Sequence, residues 1–197
     1  IFPPMRQSDL NNTQLKRWRE RIERNGNEIL HLETLASVYR DDSKLVGSFF
    51  DTSLLTSEGQ RMSRCFIMKG DSVVVVPVLT CNDGCVYTMM VEQRRIIDGD
   101  LALEFPAGGL DTDSNDPREA ACREVAEELH LTIAEEELVP LADRPVKVNT
   151  SSSGDLVYFF YFQQIVTCTF LENVEGHITG CHDDNEYIRV RVRKMSE

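Results

Sequence analysis

One helical segment constrains this chain more than any other feature. Its start is marked by Asp116 at the N-cap, Pro117 at the first helical position and Glu119 three residues after the cap. From there the sequence runs to about Leu129 without a helix breaker. The apolar residues of this segment share one side of the predicted helix, namely Ala121, Cys122, Val125 and Leu129. The pattern therefore predicts an amphipathic helix with one buried face.

The other side of this helix carries three carboxylates. Glu124 and Glu128 are four residues apart and Glu127 is three from Glu124, so their side chains share a face. Like charges at this spacing repel each other, and a hard divalent cation with oxygen ligands would supply the missing counter-charge. A solvated acidic surface explains the same spacing, so spacing alone leaves both interpretations open.

The residues around the helix extend the pattern into a known motif. Five residues separate Gly109 from Asn115, and seven more lead to Arg123-Glu124-Val125-Ala126-Glu127-Glu128-Leu129-His130-Leu131. This segment resembles the Nudix box, G-x5-E-x7-R-E-U-x-E-E-x-G-U, including both gap lengths. Two positions differ. Asn115 replaces the first glutamate, which predicts weakened activity. His130 replaces a helix-ending glycine, and histidine can adopt the left-handed conformation there at a cost of about 1 kcal/mol.

The resemblance implies a role for each conserved position of the box. Glu124 and Glu128 would ligate Mg²⁺ or Mn²⁺, and Glu127 would be a further ligand or a catalytic base. A main-chain carbonyl at Gly108 would complete the metal site, while Arg123 would orient a carboxylate. Bound metal neutralises a diphosphate and acidifies the attacking water, which explains how an acidic protein can act on a polyanion.

Segments outside the box resemble the branch of the family that hydrolyses ADP-ribose and ADP-glucose. Val91-Glu92-Gln93-Arg94-Arg95 and the run from Leu103 to Gly109 look like its "EQxR…xELPAG" segment. The likeness implies phosphate contacts for Arg94 or Arg95, and a place for Glu104 near substrate or metal. An exposed strand end is the alternative for the two arginines.

Two acidic residues further along the chain are weaker candidates under the same resemblance. Asp155 falls in the segment where this branch carries a mobile loop with an acidic general base. Glu186 precedes the last predicted strand and would contact substrate, with an ordinary surface turn as its alternative.

The fold implied by the resemblance is a Nudix α/β/α sandwich with a mixed sheet. We assign residues 69–197 to this domain and residues 1–68 to an N-terminal extension that makes a homodimer or partner contact. In the extension, Thr13 to about Asn25 reads as a basic amphipathic helix that Gly26 ends. Three β-rich stretches then predict a small antiparallel sheet: Ser37 to Tyr39, Gly47 to Leu55 and Arg64 to Met68.

The predicted strands of the main domain follow from turns and β-rich runs. Val73 to Thr80 and Val86 to Val91 flank Asn82-Asp83-Gly84, which predicts a hairpin. Pro77 lies inside the first run and predicts an edge strand or a bulge. The remaining predicted strands are Leu101 to Phe105, Val157 to Val166 and Tyr187 to Val192.

Composition excludes several classes of protein. The 197 residues carry 21 Lys and Arg against 33 Asp and Glu, a net charge of −12 that opposes unaided nucleic-acid binding. No apolar run approaches the roughly 20 residues of a membrane span, so we expect no membrane contact. The six cysteines are scattered, which predicts buried or free thiols in a reducing compartment. A reducing compartment implies an intracellular protein. We expect it in the cytoplasm or, if a leader precedes Ile1, in the mitochondrial matrix.

Two functions follow from these patterns. The first is Mg²⁺-dependent hydrolysis of a nucleoside diphosphate sugar to a nucleoside monophosphate and a sugar phosphate. The second is a Nudix subunit of an RNA-processing complex, which acts on RNA 5′ triphosphates or serves as a scaffold and reaches RNA only through a partner protein. Asn115, His130 and the basic N-terminal helix motivate the second.

Overall fold

The basic N-terminal segment forms a helix, as its pattern predicts. A computed structural model describes the protein over residues 13–40, 44–96, 99–110, 116–180 and 187–195. Helix α1 covers Thr13–Arg24, and Gly26 follows it with a φ of +76°. Three strands come next, β1 (Glu28–Arg40), β2 (Lys44–Leu55) and β3 (Arg61–Met68), in an antiparallel sheet of that order. The predicted small sheet is confirmed, with a first strand longer than expected.

An aromatic cluster holds α1 to this sheet. Leu15 and Trp18 of the helix are buried, together with Phe50, Phe66 and Met68 of the strands. The ring centroids of Trp18 and Phe66 are 4.9 Å apart, and those of Phe50 and Phe66 are 5.2 Å apart. Stacking at these distances adds to the free energy gained by burying the rings.

The chain divides into two units that are discontinuous in sequence. The first holds residues 1–71 and 147–156, and the second holds 72–146 and 157–197. The segment 147–156 joins the first unit through a parallel bridge between Ile67 and Ser153. The assignment of 1–68 and 69–197 as domains stays a prediction.

The second unit is a mixed sheet with helices. Its elements are β4 (Ser72–Cys81), β5 (Val86–Arg94), β6 (Leu101–Glu104), β7 (Ala107–Gly109), α2 (Pro117–Leu129), β8 (Val139–Pro140), β9 (Val157–Val166), α3 (Cys168–Val174), β10 (Ile178–Thr179) and β11 (Ile188–Lys194). The strand order is β10-β11-β5-β4-β9-β8, with β6 paired to β5 and β7 paired to β4. Strands β4 and β9 are parallel and the other pairs are antiparallel. The predicted α/β class with a mixed sheet is confirmed.

The β4–β5 hairpin is confirmed, but the expectation of an edge strand at Pro77 is wrong. Strand β4 is central, because β9 pairs with it along its whole length on one side. On the other side β7 pairs with residues 72–74 and β5 with residues 79–80, and the main-chain N–H of Val75 bonds Pro106. Alternation along the strand points the nitrogen of Pro77 to that same side, between the two short pairings. A central strand therefore accommodates a proline where its partners separate.

The expectation of free thiols is wrong for Cys81 and Cys168, which form a disulfide across 87 residues of sequence. Cys81 ends β4 and Cys168 begins α3, so the bond joins the hairpin to the helix. The pairing escaped sequence analysis because only the sheet topology brings the two positions together. Asp83 lies within 4.8 Å of both sulfurs, but sulfurs bonded to each other are not free to ligate a metal. Cys65, Cys85 and Cys122 are free thiols.

Reduction of this disulfide is expected to destabilise the protein. Closing a loop of this length removes chain entropy from the unfolded state worth about 4.6 kcal/mol. We therefore expect the melting temperature of the wild type to fall by about 10 °C with reductant. Cys168→Ser should melt at the lower temperature with or without reductant, while Cys65→Ser should behave as wild type. A wild-type melting temperature that is unchanged after complete reduction, as checked by thiol titration, would contradict this expectation.

None of the helices in the described residues combines the length and the apolar character that a membrane span needs. Helix α2 instead packs on β4, β5, β7 and β11 of its own unit. Its buried side chains, Ala121, Val125 and Leu129, join the core made by Val73, Met89 and their neighbours. This packing fixes the helix that carries the candidate site.

Candidate active site

The start of α2 is built as the sequence predicts. The Asp116 side chain caps the helix by accepting a hydrogen bond from the main-chain N–H of Arg118 at 2.9 Å. Pro117 occupies the first helical turn, where its missing N–H has no intrahelical acceptor to lose. The Arg118 guanidinium donates to the carbonyls of Glu135 and Leu138, both at 2.7 Å. These contacts tie the start of the helix to the segment that follows it.

The end of α2 is built around His130. This residue has φ 54° and ψ 32°, the left-handed conformation expected for it in place of glycine. Its main-chain N–H bonds the carbonyl of Ala126 at 3.2 Å. The carbonyls of Glu127 and Glu128 are bonded by strand β10 and the residue after it: Gly180 N–H reaches Glu127 at 3.4 Å and Thr179 Oγ1 reaches Glu128 at 2.6 Å. The helix thus ends without a glycine because β10 satisfies its last carbonyls.

The three glutamates of α2 have different environments. Glu128 is buried, with 5% of its surface exposed, whereas Glu127 is exposed. Adjacent residues of a helix point about 100° apart, so Glu128 is buried where Glu127 is exposed. Glu124 lies between these extremes, with 12% of its side chain exposed. The expectation that all three glutamates share one face opposite the apolar residues is therefore wrong.

Strand β7 passes beneath two of these carboxylates. Gly108 pairs with Val73 of β4, and a Cβ added to Gly108 would overlap the carboxyl group of Glu124. The main-chain N–H of Ala107 donates to Glu128 Oε2 at 3.1 Å. Glycine at position 108 is therefore required by the close approach of a carboxylate to the main chain.

Arg123 links the helix to the same strand. Its Nη2 atom lies 2.9 Å from the carbonyl oxygen of Gly109 and 3.1 Å from Oε1 of Glu124. The guanidinium thus contacts a box carboxylate and the end of β7 together. The orienting role that the resemblance implies for Arg123 stays a prediction.

The arrangement offers the oxygen donors that a hard divalent cation prefers. Glu124 and Glu128 bring two carboxylates beside the main chain of residues 107–109, and the Glu124 carboxyl occupies the space that a side chain at position 108 would take. Glu124, Glu128 and nearby main-chain carbonyls thus form a donor set that fits such a cation. The place of Glu127 among the ligands stays a prediction.

The basic residues predicted to meet phosphate lie at the end of β5. Arg95 donates to both carboxylate oxygens of Glu104, one of them from Nε at 3.0 Å, and Arg94 donates to the carbonyl of Gly99. Strand β6, which ends at Glu104, pairs with β5, and the long Arg95 side chain reaches the Glu104 carboxylate. The structure thus joins Arg95 and Glu104, which the sequence offered as separate candidates.

Glu92 of the same strand has a structural partner. Arg191 of β11 donates to both of its oxygens, at 2.9 and 3.1 Å. This hydrogen bonding is the largest cause of a pKa of Glu92 that lies below the usual glutamate value. Glu92 therefore stays ionised and joins β5 to β11.

Asp155 lies in the first unit, where its oxygens accept several hydrogen bonds. The donors are the main-chain N–H groups of Lys69 and Gly70, at 3.0 to 3.1 Å, and the hydroxyl of Ser153 at 2.8 Å. These bonds hold the 147–156 segment to the end of β3. The role of Asp155 as general base stays a prediction. Asn115 and Glu186 lie outside the described residues.

Sequence reasoning missed Thr179 and the Ala107 N–H. Both contact Glu128, Thr179 from 51 residues further along the chain. A main-chain donor has no side-chain signature, and a lone threonine in a short strand carries no motif. Only the fold identifies them.

Comparison with known proteins identifies the family of this chain. The NUDIX domain matches residues 68–196. Nudix hydrolase 14, chloroplastic, of Arabidopsis thaliana is 31% identical over 142 residues, which cover 68% of this chain but only 45% of that protein. The chain thus spans less than half the length of this curated relative. A crystal structure of an ADP compounds hydrolase aligns with a TM-score of 0.49 and 20% identity, over 70% of this chain and 67% of the other.

The NUDIX match extends over more than half of the chain and includes the whole box from Gly109 to Leu131. The chain belongs to the Nudix hydrolase family, whose members generally use divalent metals.

Proposed function

We propose that this protein hydrolyses the diphosphate bond of a nucleoside diphosphate sugar of the ADP-ribose or ADP-glucose type, with Mg²⁺ or Mn²⁺. The observation that supports this most is the placement of Glu124 and Glu128 against residues 107–109. Arg123 bonds both the Glu124 carboxylate and the Gly109 carbonyl. A divalent cation bound there would neutralise phosphate charge and lower the pKa of water. The products would be a nucleoside monophosphate and a sugar phosphate.

The chain's own residues divide the work in this proposal. Glu124 and Glu128 hold the cation with a main-chain carbonyl near Gly108, and Arg123 fixes the Glu124 carboxylate. Glu127 is exposed to solvent, so its carboxylate can accept a proton from water or bind a further cation. Asp155 and Glu186 remain candidates for the general base and a substrate contact.

Arg94, Arg95 and Glu104 form the proposed substrate contact. Arg95 holds its charge beside Glu104, and Arg94 bonds a main-chain carbonyl. A phosphate that replaces Glu104 as partner of Arg95 would keep the guanidinium paired, and the freed carboxylate could accept a hydrogen bond from a sugar hydroxyl. This exchange would make binding selective for a substrate that carries both groups.

We also propose that the first unit mediates a homodimer. Its sheet leaves a set of large apolar side chains exposed: Leu30, Leu35, Val38, Val46, Phe49, Met62 and Ile67. Exposed apolar surface of this extent is typical of an interaction site. Light scattering on the eluted peak of a sizing column would give twice the monomer mass if the proposal is right.

A substrate panel tests the proposed reaction. Purified protein with Mg²⁺ is incubated with ADP-ribose, ADP-glucose, other nucleoside diphosphate sugars and a 5′-triphosphorylated RNA, and products are separated by ion-exchange chromatography. We expect AMP to form from an ADP-sugar in Mg²⁺, and no AMP to form when EDTA is present. Turnover confined to the RNA would overturn the proposal in favour of RNA 5′-end processing, and the absence of turnover on every compound would favour a scaffold.

The structure gives the RNA alternative little support from α1. Arg17 lies 4.0 Å from the Asp71 carboxylate, and Arg21 donates to the Gly154 carbonyl at 2.7 Å. Two arginines of the basic stretch therefore serve contacts within the first unit. The remaining positive charge of α1 is small compared with the net charge of −12 of the whole chain, which opposes RNA binding.

A further inference from the structure

Two atoms of Glu128 are held by different strands. Its carboxylate accepts from the Ala107 N–H of β7 at 3.1 Å, and its main-chain carbonyl accepts from the Thr179 hydroxyl of β10 at 2.6 Å. Glu128 is the residue before the last one of α2, and Thr179 supplies its carbonyl with a donor from outside the helix. The two bonds fix both ends of the residue that we place at the centre of the cation site.

The Thr179 hydroxyl is itself fixed by the sheet. Thr179 is 4% exposed, and its β10 neighbour Ile178 pairs with Arg189 of β11 while Thr179 pairs with Ile188. Ile188 is fully buried, and β11 pairs with β5 over six residues. A buried hydroxyl bonded at this distance on a paired strand has little freedom to move.

Residues that follow α2 in the sequence bond the carbonyls of its last turn. The main-chain N–H of His130 bonds the carbonyl of Ala126. Gly180 and Thr179 bond the carbonyls of Glu127 and Glu128. If the Thr179 bond is lost, the last turn of α2 is free to tilt, and the Glu128 carboxylate moves with it.

We infer that Thr179 is a positioning residue that sets the Glu128 carboxylate for cation binding. It does so through the main chain, and it touches neither cation nor substrate. This inference rests on the proposed function for the role of the cation, but the placement of Glu128 itself can be measured without turnover.

The test compares Thr179→Val, which removes the hydroxyl and keeps the shape, with Thr179→Ser, which keeps the hydroxyl. Three quantities are measured: exchange of the Ala107 amide hydrogen by NMR, Mn²⁺ affinity by calorimetry, and kcat and KM on the best substrate. With Thr179→Val we expect Ala107 exchange to rise about tenfold and Mn²⁺ affinity to fall about tenfold. We expect kcat to fall while KM for substrate stays near wild type, and Thr179→Ser to restore all three.

Two results would overturn the inference. One is a Thr179→Val protein that melts earlier while Ala107 exchange and Mn²⁺ affinity stay at wild-type values, which shows a structural role only. The other is a Thr179→Ser protein as impaired as Thr179→Val. If Thr179→Val does not fold, Thr179→Ala removes the same hydroxyl and takes its place under the same criteria.

Failure of the proposed function is distinguishable from failure of this inference. A wild type without turnover on any diphosphate rejects the reaction. The Ala107 exchange and the Mn²⁺ titration still decide whether Thr179 positions Glu128.

Discussion

Glu128→Gln is expected to lower kcat/KM for the diphosphate substrate about 1000-fold, which corresponds to about 4 kcal/mol of transition-state stabilisation. The substitution keeps the size of the side chain and an oxygen that can accept from the Ala107 N–H. It removes the negative charge that balances a cation. Steady-state kinetics on the best substrate of the panel measure the loss, and circular dichroism checks the fold.

Glu119→Gln is the matched control for this variant. Glu119 lies in the first turn of the same helix, is exposed, and is not one of the proposed ligands. We expect its kinetics to equal those of the wild type. A Glu128→Gln enzyme that retains wild-type turnover would show that Glu128 is not a metal ligand. The residues of the box would then have roles other than those that the resemblance to the Nudix box implies.

Gly108→Ala is expected to lower kcat/KM almost as much as Glu128→Gln does, because of steric overlap rather than loss of charge. The new methyl group would overlap the Glu124 carboxyl, so this carboxylate or strand β7 must move away. Either movement separates Glu124 from Arg123 and from the main chain of residues 107–109. We expect kcat/KM to fall at least about 100-fold, with Mn²⁺ affinity reduced in calorimetry in the absence of substrate.

Gly109→Ala separates the steric effect from a general intolerance of the strand. A Cβ at Gly109 meets no heavy atom within 4 Å, and the carbonyl that accepts from Arg123 is unchanged. This variant should retain wild-type kinetics and metal affinity. Equal losses in both alanine variants would show that the contact between Gly108 and Glu124 is not the cause.

The contrast between α2 and the rest of the site shows what local sequence can predict. Asp116, Pro117 and the apolar spacing predict the start, length and buried face of α2, because capping and helical periodicity act over a few residues. The left-handed His130 is predictable for the same reason. Asn115 and Glu186, which belong to the same motif and branch, lie outside the described residues.

The unexpected features depend on contacts between distant positions. Pro77 sits in a central strand because two short partners leave a gap beside it, and Cys81 meets Cys168 because β4 ends where α3 begins. The Thr179 contact and the return of residues 147–156 to the first unit have the same origin. None of these pairings has a local signal, since strand order is set by the packing of the whole sheet.

The most direct test of the account follows ADP-ribose by ³¹P NMR with the wild type and Glu128→Gln side by side in Mg²⁺. With the wild type, we expect two phosphomonoester resonances to replace the two diphosphate resonances. We expect the diphosphate to persist with Glu128→Gln, and with the wild type in EDTA. Equal loss of the diphosphate resonances with both proteins would contradict this expectation. So would the absence of any loss with the wild type on every ADP-sugar.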